Sequence, residues 1–329
     1  MGEAWFVPLW DSTPRPLLAA GLGIVAAAIS LPLIRSSLAI CGVTMTSRPW
    51  RSAIATGFVV ALYAWLMLQF AVERIDEVRP GPVWDRLRIV HHTVLIVLLA
   101  AVTVTDWKTT FIPNIVIQVG LVIGVSLAVI SGDLQMTHVW VDWNAEIPRF
   151  TGPYLPEWMK HHPHLHGLAW SVAGAACGAA ITGAVRRISR WALGVPALGD
   201  GDVWLMAMIG SFLGWQAAIV AFLLAPLSAL VAGIPMRLAT GRPYIPYGPF
   251  LALASILVMS SWRWIWQLEW SLGSAVVRED RRAVFSMRRL FGDPLALVAI
   301  AGVVAIALAA MLGWRRWSSG WKVKRVGGG

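Results

Sequence analysis

Apolar residues in this chain come in blocks of about 20, the length a helix needs to cross roughly 30 Å of hydrocarbon at 1.5 Å per residue. Nine blocks can be read, at 16–34, 53–72, 89–105, 112–131, 167–185, 203–213, 216–234, 249–268 and 295–314. The block at 203–213 is short for a crossing, yet 203–234 is too long for one, so Gly214 and Trp215 are read as a break between two spans. Only 13% of the 329 residues are charged, against roughly 25% in an average soluble domain. That is too few to cover so much apolar surface in water. The expected fold is all-α, a polytopic integral membrane helical bundle of about eight or nine transmembrane helices.

Other features suit a membrane setting. Many of the 20 tryptophans lie near block ends, at Trp50, Trp84, Trp107, Trp140, Trp143, Trp191, Trp262 and Trp314, where indole sits between apolar and wet phases as an aromatic belt. The first apolar run is preceded by Glu3 and Asp11 and by no basic cluster, so it reads as a retained helix and not a cleaved signal. Cys41 and Cys177 are the only cysteines, which leaves no disulfide framework and no thiolate zinc site. The net charge of +10 is spread over many short loops. It points to anionic lipid headgroups as partners and not to nucleic acid.

Two longer polar stretches, 132–166 and 269–293, read as loops with room for a surface helix, and no soluble domain fits in either. The chain divides into two N-terminal helices with their loops (1–88), a central core (89–268), and a polar loop, last helix and basic tail (269–329). Alternating nine spans across the membrane splits the basic residues almost evenly, so the positive-inside rule gives no orientation. The acids divide differently. Of 17 Asp and Glu, only Asp106, Asp200 and Asp202 fall on the face shared with the C-terminus.

Those three acids sit in two motifs. Asp106 ends the third span and opens Asp106-Trp107-Lys108-Thr109-Thr110-Phe111-Ile112-Pro113-Asn114, with Pro113 suited to the first turn of the next helix. Asp202 closes Gly199-Asp200-Gly201-Asp202 where the sixth span starts, a place where a carboxylate can cap free N–H groups. The glycines allow a tight turn and a close approach. Two carboxylates within hydrogen-bonding reach cannot both ionise cheaply. Sharing one proton, the ionised one takes a proton from water while the other protonates a substrate carbonyl, as in soluble aspartic proteases. Such chemistry needs no metal and no other cofactor.

The aspartate six residues before Ile112-Pro113-Asn114, the Gly-Asp-Gly-Asp turn at 199–202, and Pro246-Tyr247-Gly248-Pro249-Phe250-Leu251 opening a later span resemble the type IV prepilin peptidase family. The three elements stand in the family's order, over residues 89–268. The resemblance implies a membrane-embedded aspartyl endopeptidase of the bacterial inner membrane, with Asp106 and Asp202 as the catalytic pair facing the cytoplasm. Gly199, Asp200, Gly201, Ile112, Pro113, Asn114, Pro246, Gly248 and Pro249 would then support the active-site turns. The implied partners are prepilins or pseudopilins, cut just after a short basic leader that ends in glycine and precedes an apolar helix. This chain departs at Trp204, where members often carry lysine, and at Asp200, a third carboxylate. It also lacks the four-cysteine zinc domain of many members, so methyl transfer to the new pilin N-terminus is not expected.

Plainer roles compete with these. Asp200 reads as structural, because a dyad needs only two acids. His161, His162, His164 and His166 invite a metal reading, but Pro163 breaks any helical spacing and the loop lies on the face away from the aspartates, so no metal site is expected. His91 and His92 read as interfacial or helix-packing residues, residues 174–180 as a close helix contact, and the arginines between 278 and 289 as headgroup contacts. Two other functions stay open: a transporter or channel whose acids bind a proton or cation, and a catalytically silent scaffold of a pilus or secretion system.

Overall fold

The computed structural model describes residues 3–43, 48–141, 156–241, 245–272 and 283–326. Trp143, Arg278, Arg281, Arg282 and positions 142–155 of the first polar loop lie outside them. In chain order the helices are α1 (Glu3–Ser12), α2 (Arg15–Ile40), α3 (Pro49–Phe70), α4 (Pro82–Thr109), α5 (Asn114–Ser131), α6 (Glu157–His161), α7 (Pro163–Leu193) and α8 (Asp200–Ser228). A π-helical turn, Ala229–Gly233, leads to α9 (Ile234–Thr240), followed by α10 (Gly248–Trp266), α11 (Met287–Gly292) and α12 (Pro294–Val326). Between α10 and α11, β1 (Glu269–Leu272) pairs antiparallel with β2 (Ala283–Ser286). The second polar loop thus contains a short strand pair that its sequence did not announce.

Among the described residues seven helices are long and apolar enough to cross a membrane: α2, α3, α4, α5, α7, the unit Asp200–Thr240 and α10. One of these units, Asp200–Thr240, holds two of the expected spans. The described part of α12 adds a shorter apolar helix, Pro294–Ala307. The blocks at 203–213 and 216–234 share one unit, broken at Gly214, whose backbone (φ 79°, ψ 169°) is not helical.

The chain turns back at Gly214. Before it, α8 runs antiparallel to α7, with Gly210 against Gly174 and Met206 against Gly178. After it, Gln216 bonds to Thr137 and His138, and the chain returns until Gly233 meets Phe250 near the start of α10. A positive φ carries no penalty for glycine, and a Cβ at Gly214 would overlap the Trp170 indole. The loop after α5 holds the reversal in place. Trp215 Nε1 donates to the Val139 carbonyl at 2.6 Å, and Gln216 Nε2 to the His138 carbonyl at 2.8 Å. His166 Nε2 accepts from the Val139 N–H at 3.2 Å, while His161 and His164 go to Glu157 and the Val129 carbonyl. Three of the four histidines thus make separate local contacts.

Lipid supplies little hydrophobic drive between helices, so backbones must approach closely for dispersion to hold them. A Cβ at Gly174 would overlap the Gly210 carbonyl, one at Gly178 the Met206 carbonyl, and one at Gly23 the Gly57 carbonyl of α3. Trp50 and Trp191 are exposed, as belt positions require. Trp262 is not a belt residue: it is 0% exposed and stacks on Trp266 at 5.4 Å, because its face of α10 turns into the bundle. His91 and His92 are buried as well, so of their two expected roles only packing applies.

Gly174→Ala is expected to lower the melting temperature of the purified protein in detergent, through overpacking of about 1–3 kcal/mol. Gly21→Ala, where nothing lies within 4 Å, is expected to leave it unchanged or raise it, since alanine favours a helix by up to about 1 kcal/mol. Parallel thermal melts check the opposite signs.

Candidate active site

Asp106 lies in the last turn of α4. The helix closes when Thr110, at φ 54°, turns its N–H onto the Asp106 carbonyl at 2.8 Å. A β-branched residue in the left-handed region is an outlier, the kind of local strain found at functional turns. The chain then passes exposed Phe111 and buried Ile112 to Pro113, which caps α5 from just outside its first turn, and Asn114, which is exposed.

Asp202 lies in the first turn of α8, where its Oδ2 accepts from the Gly199 N–H at 2.8 Å. An acid reaching back to a free N–H at a helix start also meets the positive end of the helix dipole. Asp106 is held in the same manner by a distant segment, its Oδ2 accepting from the Gly248 N–H at 3.0 Å. A Cβ on Gly248 would lie 2.5 Å from that oxygen, so the approach requires glycine.

Ile112 joins the two turns. Its side chain would lie 3.1 Å from a Cβ on Gly201 and 3.4 Å from one on Gly248. Asp106 and Asp202 are 5% and 8% exposed, and the charge of Asp202 acts on Asp106. It acts on Tyr247 too. Burial first, and the Asp202 charge second, push the Tyr247 phenol up, so it stays an O–H donor at neutral pH.

The remaining expected residues divide between this cluster and its rim. Pro246 and Gly248 are buried, Gly201 and Pro249 half-buried, and Gly199 exposed. Asp200 points away: its side chain is 80% exposed and pairs with Arg186 of α7 at 2.7 Å. Arg186 also donates to the Leu198 carbonyl at 2.6 Å, which fastens the turn to α7. Trp204 is exposed. Among the described residues no group of three His, Cys, Asp or Glu could hold a metal ion. Sequence reasoning missed Tyr247 and Arg186. The tyrosine stood inside a motif already singled out, whereas nothing local marks Arg186 as the partner of Asp200.

A helical membrane bundle with two buried, interacting carboxylates at one end defines a class, the polytopic membrane protein with a paired-acid site. Comparison with known proteins narrows it. The sequence model of the type IV leader peptidase family matches residues 149–234, a stretch that includes Asp202 but neither Asp106 nor Gly248. The chain is 29% identical over 120 residues to a prepilin leader peptidase/N-methyltransferase of Aeromonas salmonicida (strain A449), covering 36% of this chain and 38% of that one. Proteins of the same name match from Myxococcus xanthus (strain DK1622), at 52% over 46 residues and 14% of each chain, and from Neisseria gonorrhoeae, at 30% over 97 residues, 30% of this chain and 34% of that one. These findings support a member of the type IV prepilin peptidase family. The matched segment spans less than half the length of each of these curated relatives. No solved structure matches.

Because the Asp200 side chain is 80% exposed, its ion pair is screened by water. Asp200→Asn is expected to cost no more than about 1 kcal/mol in a thermal melt.

Proposed function

We propose that this protein is a prepilin-type leader peptidase, a membrane aspartyl endopeptidase that removes the basic leader of a type IV prepilin or pseudopilin at the cytoplasmic edge of the inner membrane. One observation carries the reading. Asp106 and Asp202, far apart in sequence, are both buried around Ile112, each accepting a glycine N–H. The names borne by the matched relatives support the substrate class.

The chemistry follows from two acids sharing one proton. The ionised carboxylate removes a proton from water as its oxygen attacks the scissile carbonyl carbon, and the protonated carboxyl gives its proton to the carbonyl oxygen. Collapse of the tetrahedral intermediate breaks the C–N bond, and the amine leaves with the proton that came from water. The N–H groups of Gly248 and Gly199 steady negative charge on Asp106 and Asp202, which a buried carboxylate requires. The Tyr247 hydroxyl offers a further donor beside the pair.

Asp106→Asn and Asp202→Asn are each expected to abolish shortening of a co-expressed prepilin on a gel while the protein still accumulates in the membrane. A variant that still cleaves rejects the assignment. Asp200→Asn is expected to keep most activity. Gly248→Ala, which pushes the Asp106 carboxylate aside, is expected to lower cleavage by roughly ten- to a hundredfold. A pilin left uncut by the wild-type protein would return the acids to proton or cation binding.

A further inference from the structure

The end of the bundle away from the aspartates holds five polar side chains that the peptidase reading does not use. Glu73 follows α3, Tyr63 lies on α3, and Arg88, His91 and His92 lie on α4, all between 0% and 2% exposed. Tyr63 Oη donates to Glu73 Oε1. His92 Nδ1 is 2.7 Å from the same oxygen and 2.9 Å from Tyr63 Oη. His91 Nε2 is 3.4 Å from the Phe212 carbonyl oxygen of α8. Each histidine thus turns one nitrogen to an oxygen.

Five atoms of the group are buried and have no hydrogen-bond partner among the described residues: Glu73 Oε2, Arg88 Nε and Nη2, His91 Nδ1 and His92 Nε2. Charged groups buried in that condition are strongly unfavourable. The two Arg88 atoms are donors and Glu73 Oε2 is an acceptor, so whatever meets them must both donate and accept. An anion would suit Arg88 but face the Glu73 carboxylate. A metal ion would suit the imidazoles but face the Arg88 charge. Water satisfies both kinds, and a buried water makes about three hydrogen bonds of this sort.

We propose that Tyr63, Glu73, Arg88, His91 and His92 line an internal water site, in which ordered waters bridge the Arg88 guanidinium to Glu73 and the two imidazoles. The site is separate from the aspartate pair. His92 and Asp106 lie about 21 Å apart along α4, and the turns between them carry buried Leu95, Ile96, Val97, Leu98, Leu99, Ala101 and Val102. A polar cleft of about 260 Å³ opens at that end, walled by Asp11, Arg74, Asp85, Arg86 and Ile89.

Radiolytic hydroxyl labelling of the full-length protein in detergent tests the proposal directly, because radicals arise where water is bound. Tyr63 and His92 are expected to be modified on the order of ten times faster than Met259, which is 0% exposed in apolar surroundings. Equal protection of Tyr63 and Met259 would overturn the site. A second measurement uses Glu73→Gln, Arg88→Met and the double variant. The double is expected to melt higher than either single, because each single strands one buried charge. Strictly additive losses would also overturn it.

Discussion

The backbone N–H of Gly248 ties the first turn of α10 to the carboxylate that ends α4. A buried acid must find its donors inside the protein, from side chains or from the backbone. This chain uses the backbone for both acids, with Gly199 serving Asp202 as Gly248 serves Asp106. The consequence is steric. Only glycine lets α10 come so near Asp106, and the gap left between the two turns has the size of the Ile112 side chain.

The same trade of side chain for proximity holds the bundle together. Gly174, Gly178 and Gly210 bring α7 and α8 into backbone contact, and Gly23 and Gly57 do so for α2 and α3. Bulk returns where the chain must be wedged apart or stopped, as at Trp170 beside the reversal at Gly214. The α7–α8 seam also fixes the height of the Asp202 turn, with Arg186 gripping Leu198 and Asp200 at its end.

The two ends of α4 solve the burial of charge in contrasting ways. Near Asp106 the donor is a single N–H, and the acid can change protonation state without losing a salt-bridge partner. Near Arg88 the charges are met by a network of tyrosine, carboxylate and imidazole, whose spare donors and lone pairs call for solvent. The apolar turns between keep the two apart.

Hydropathy alone made the helices legible, because transfer to lipid is decided residue by residue, and even the break at Gly214 showed as an interruption between apolar runs. The acids were conspicuous in the sequence because one face of the membrane carries so few of them. Partners were another matter. That Gly248 would hold Asp106, that Asp200 would turn outward to Arg186, that Trp262 would face the bundle, and that His166 would staple a loop each depend on which surfaces meet. Those meetings are set by contacts between segments remote in sequence, and a hydrogen bond or a close packing leaves no trace in the local pattern of either segment. The sequence by itself determined which stretches enter the membrane and which acids stand at its edge. Only the tertiary structure decided what each of those acids touches.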